Sequence, residues 1–180
     1  MKERFTQMDD ALIDRLFQPL ADWMNHHMAL GPNRAARVAI DFASLAWILA
    51  QLGDMADAMQ RHDVRVCVFL GGAVVLGLWA FNILRNVFQP TDGEAKARAR
   101  AQANPLRPGM QLHRAACLFW MIGLAVKAIA APASFGSLAL LAVGVFATAA
   151  VYIGACTNHP PKWRAARESG SNPAFASGRF

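Results

Sequence analysis

Two ionisable side chains, Asp41 and Lys127, stand inside otherwise apolar runs of the sequence. An ionisable group at membrane depth is where proton or ion transfer would be carried out. Asp41 follows Arg37 by four residues, so on a helix the two share a face and can pair. Lys127 lies about 18 Å into its run at 1.5 Å per helical residue. Its long stem can reach the opposite surface, towards Asp54, Asp57 or Asp63. These two charges sit at different depths, so a proton- or ion-coupled transporter built on Asp41 and Lys127 is an alternative that needs further links.

Among the histidines, His27 and His113 are the candidates for contacting a haem or another pigment near one membrane face, which gives a second alternative. The simpler reading is that both are solvated surface imidazoles. Cys67, Cys117 and Cys156 are odd in number, widely spaced and set in apolar surroundings, so they read as small buried hydrophobes. No Cys/His spacing suits zinc, and no metal site is expected. The chain has no phosphate-binding glycine loop, no HExxH and no GxSxG. No catalytic residue is assigned, and the chain is expected not to be an enzyme. No cofactor of its own is expected beyond lipid.

The elements that would position these groups follow from composition. Of 180 residues, 55% are hydrophobic and 17% charged, with a mean hydropathy of +0.24. An ordinary soluble domain carries about 25% charged residues. Disordered, collagen-like and disulfide-stapled classes are excluded, and an all-α membrane protein remains. Crossing a bilayer takes about 20 apolar helical residues. Four runs qualify, giving expected spans of about 36–56, 64–84, 113–131 and 134–156 within a transmembrane domain of residues 34–156. The first is the weakest and spans only if its helix takes in Ala35 and Ala36 and continues past Asp54. Small residues four apart, at Ala73 and Gly77, Gly144 and Thr148, and Ala150 and Gly154, allow close helix approach in lipid.

Basic residues alternate along the chain. There are five in residues 1–37, two in 54–65, six in 85–114, none in the connection at Pro132 and four in the tail. Basic loops stay on the cytoplasmic side, so both termini and the basic loop 85–112 are expected there, in a bacterial inner membrane. Residues 1–33 form an expected amphipathic interfacial helix and turn. Leu12, Leu16, Leu20 and Trp23 make an apolar row, and Asp10, Asp14 and Asp22 lie on another side. Pro19 should kink or divide that helix. Its acidic side disfavours anionic lipid, so the apolar row is expected to dock on a partner protein or under the chain's own helices.

Lys96, Arg98 and Arg100 in the loop are expected to meet anionic lipid headgroups. No aromatic residues interleave with them, so nucleic acid is not an expected partner. In the cytoplasmic tail, 157–180, Trp163 is a further candidate for docking, with Phe175 and Phe180. Together these features predict a non-catalytic membrane subunit or assembly factor, whose partners are other membrane protein subunits and anionic lipid.

Overall fold

In the computed structural model, residues 2–88, 109–130 and 134–156 are described, with side chains from Thr6 onward. The described residues are helical, without strands. An N-terminal arm comprises α1 (Lys2–Leu12), a π-helical turn at Ile13–Phe17 and α2 (Gln18–Met28). Four longer helices follow: α3 (Pro32–Gln60), α4 (Val64–Val87), α5 (Gln111–Ala130) and α6 (Phe135–Ile153). Each is long and apolar enough to cross a membrane, so the chain is a multi-pass, all-α membrane protein. The expected loop cluster Lys96, Arg98 and Arg100, and the tail with Trp163, lie outside the described residues.

Local chemistry explains the breaks. Pro19 has no amide donor and its ring crowds the carbonyl of residue 15, so a regular α-turn cannot run through it. The chain widens instead, and the Gln18 amide donates five residues back to the Ile13 carbonyl. The arm ends at Ala29, in the left-handed region at φ 54°, whose amide donates to the Met24 carbonyl. The α3–α4 turn uses a second left-handed residue, His62 at φ 56°. There the Asp63 amide reaches the Ala58 carbonyl at 3.0 Å, and the Asp63 side chain caps α4 by accepting from the Val66 amide. Ser134 and Ser137 form a reciprocal cap that starts α6.

The four long helices form an open row in the order α4, α3, α6, α5. The first and last spans are therefore the central pair. Ala36, Ala43 and Ala50 of α3 are fully buried at seven-residue intervals, with Ala39 and Ala46 buried between them. This is the repeat of a left-handed helix pair. Gly136, Val143, Ala147 and Ala150 are buried on α6. The two helices run antiparallel, since a Cβ at Gly136 would meet Asp54 and the Ala50 carbonyl. Side chains this small let the backbones approach closely, which drives association where lipid removes the hydrophobic force.

The condition set for the first span is met, because α3 runs from Pro32 to Gln60. Its modest hydropathy has a physical cause. Its alanine face meets α6 and not lipid, whereas the edge helices α4 and α5 are mostly exposed.

Each small pair noted in the sequence receives a neighbour. Gly77 leaves the space taken by the Trp47 indole, and the Trp47 Nε1–H donates to the Ala73 carbonyl at 3.2 Å. Gly144 admits Met121 and Leu124 of α5, and the Thr148 hydroxyl donates to the Cys117 carbonyl at 3.1 Å. Gly154 accommodates the ring of Phe88, which is wholly buried just past α4.

Candidate functional site

The best-packed region lies at one end of the row, where the arm meets the spans. The arm crosses three of them in turn: α1 touches α5, the π-turn touches α6, and α2 touches α3. It packs through Asp9, Ile13, Phe17 and Ala21, four residues apart, against a core that includes Ala36, Ile40, Met110, Tyr152 and Cys156. Phe17 stacks on Tyr152 with ring centroids 4.7 Å apart.

Within that core is a buried ion pair. Asp9 is 2% and Arg114 1% exposed. The Arg114 Nε–H donates to the two Asp9 carboxylate oxygens at 3.1 and 3.2 Å, and its Nη2 donates to Oδ2. A fork-to-fork contact of this kind fixes orientation as well as charge. Arg114 also lies over the Tyr152 ring, 5.8 Å from its centroid. Beside it the Gln111 amide donates to the Thr6 hydroxyl at 3.1 Å. The second terminal nitrogen of Arg114, Nη1, is buried with no hydrogen-bond partner.

The sequence analysis did not find this pair, whose members stand 105 residues apart. The one available signal was a second row, Asp9, Ile13, Phe17 and Ala21, which at helical spacing is apolar except for its acid.

Asp41 does not use Arg37 as its recorded partner. Its carboxylate stands 3.1 Å from Nε of Arg85 on α4, an inter-helix contact with both side chains about half exposed. The Nε–H is not aligned for a hydrogen bond, so charge attraction alone holds the contact. Lys127 is exposed in the last turn of α5, about 20 Å along the axis from Arg114. Asp41 lies in the half of α3 nearer the arm, so the two intramembrane charges stay apart.

His27 and His113 are both exposed. The His27 Nδ1–H donates to the Trp23 carbonyl at 3.0 Å, and the imidazole stacks on the Trp23 ring. It follows the part of the arm on α3, whereas His113 begins α5 at the arm's other end, so the two do not face one another. Among the described residues no three His, Cys, Asp or Glu side chains are grouped to hold a metal.

The apolar row of the arm divides. Leu12 is partly buried and packs against the chain's own core. Leu16, Leu20 and Trp23 remain 58%, 43% and 48% exposed. They form one flank of the docked arm, while Asp10, Asp14, Gln18 and Asp22 lie along the other. Comparison with protein-family models, characterised proteins and solved structures returns no match.

Proposed function

We propose that this chain is a non-catalytic integral subunit or assembly factor of a larger bacterial inner-membrane complex. Both termini and the 85–112 loop face the cytoplasm, and the arm is an interfacial amphipathic element. The observation that carries the reading is the exposed row Leu16, Leu20 and Trp23 on an arm whose Asp9, Ile13, Phe17 and Ala21 side packs against its own spans. An apolar row left uncovered outside the spans is a surface for a partner. The acids on the arm's other flank favour a basic protein surface over anionic lipid, and Lys96, Arg98 and Arg100 serve the headgroups. The open row of spans supports the same reading, because its edge helices α4 and α5 each offer a broad apolar side to a neighbouring subunit.

Burying a Leu or Trp side chain contributes roughly 1.5–3 kcal/mol, so three of them suffice to hold a docked surface. The test is purification in mild detergent from the native membrane, comparing wild type with Leu16→Asp/Leu20→Asp. The variant should insert normally and lose its co-purifying subunits. Undiminished co-purification would refute docking through the arm.

A further inference from the structure

The arm has the layout of a strap. One end is tied to α3 by the short turn at Ala29–Gly31, which contains the left-handed Ala29. At the other end α1 is held to α5 by polar contacts, Asp9 with Arg114 and Thr6 with Gln111. Between these ends Ile13, Phe17, Ala21 and Met24 pack in the apolar core. The row beneath is open: α4 packs on α3, α3 on α6 and α6 on α5, and the arm lies across the ends of α5, α6 and α3 in succession.

We infer that the arm is a latched strap, hinged at Ala29–Gly31 and held shut by Asp9–Arg114, which braces the ends of α3, α6 and α5 and opens as a unit when that pair is broken. Two features make the latch depend on one acid. Arg114 is wholly buried, and its unpartnered Nη1 leaves Asp9 as its recorded charge partner. Removing one member of a buried pair strands the other charge away from water, which costs far more than losing an exposed pair. Opening gives the stranded guanidinium access to water, so the strap lifts while the alanine seam stays closed. The strap stands independently of whether a partner docks on its outer flank.

The closed strap covers a natural reporter. Cys156 is 2% exposed in the core beneath the arm, and its thiol donates to the Tyr152 carbonyl at 3.4 Å. The test uses the full chain in unsealed membrane fragments, with Cys67→Ala and Cys117→Ala leaving Cys156 alone. A water-soluble maleimide should react slowly with this protein. With Asp9→Asn added, the reaction should run at least about tenfold faster, since labelling follows the population of the opened state. A second reporter, Ala50→Cys with all three native cysteines replaced, sits fully buried in the α3–α6 seam and should stay slow with Asp9→Asn. Unchanged labelling of Cys156 would overturn the latch. Faster labelling at both positions would also overturn it, by showing that the whole bundle loosens and not the strap.

Discussion

The indole of Trp47 occupies the groove that Gly77 leaves on α4, and this contact gives a prediction with a workable magnitude. A methyl group at residue 77 would fall on the indole, so Gly77→Ala must push Trp47 aside. Displacement removes the bond from Trp47 Nε1–H to the Ala73 carbonyl, which stands at 3.2 Å. Between membrane helices such a bond averages about 0.6 kcal/mol. The Ala73 carbonyl keeps the helical bond from residue 77, so no acceptor is left bare. Overpacking adds about 1–3 kcal/mol, which brings the expected loss to about 1.6–3.6 kcal/mol. Trp47→Phe deletes the donor together with the five-membered ring that sits against Gly77, and should cost more than the bond alone, about 0.6 kcal/mol. In a Trp47→Ala background the methyl meets empty space, and Gly77→Ala should cost less than about 0.5 kcal/mol. The coupling is then about 2 kcal/mol, measurable by reversible unfolding in mixed micelles titrated with a denaturing detergent. Equal cost of Gly77→Ala in both backgrounds would refute the groove as the seat of the indole.

The Asp41–Arg85 pair is half exposed and misaligned, so Asp41→Asn should change stability by less than about 1 kcal/mol in the same assay. A loss above about 2 kcal/mol would show a desolvated pair. For orientation, a reporter active only in the periplasm should be silent when fused after Phe180 and active when inserted near Gln60; the reverse pattern would overturn the assigned topology.

The spans were legible because hydropathy is a property of contiguous residues. The small pairs were legible too, since a gap in a helix surface can be read from spacing alone. What fills each gap could not be read: Trp47, Met121 and Phe88 come from elsewhere in the chain. Asp41 shows the same limit. Arg37 is its natural neighbour along one helix, yet Arg85 arrives from the adjacent helix. The Asp9–Arg114 pair is separated by 105 residues, and no local pattern relates an arm acid to the start of a distant span. How the arm row divides could not be read either. Leu12 and Leu16 are alike in sequence, but the protein-facing side of the arm runs through Ile13 and Phe17, so Leu12 is drawn inward and Leu16 is not.

The α3–α6 seam also constrains biosynthesis. Among the four helices α3 is made before its main partner α6, so this bundle cannot close until Phe135–Ile153 has been made and inserted. Meanwhile α3, with a mean hydropathy of 1.4 in its best window against 2.2 for α4, must wait in lipid beside α4, its alanine face turned to acyl chains. The surface that α6 brings is the matching one, with Gly136, Ala147 and Ala150 buried on it, so closing the bundle exchanges lipid for a small-residue seam on both helices.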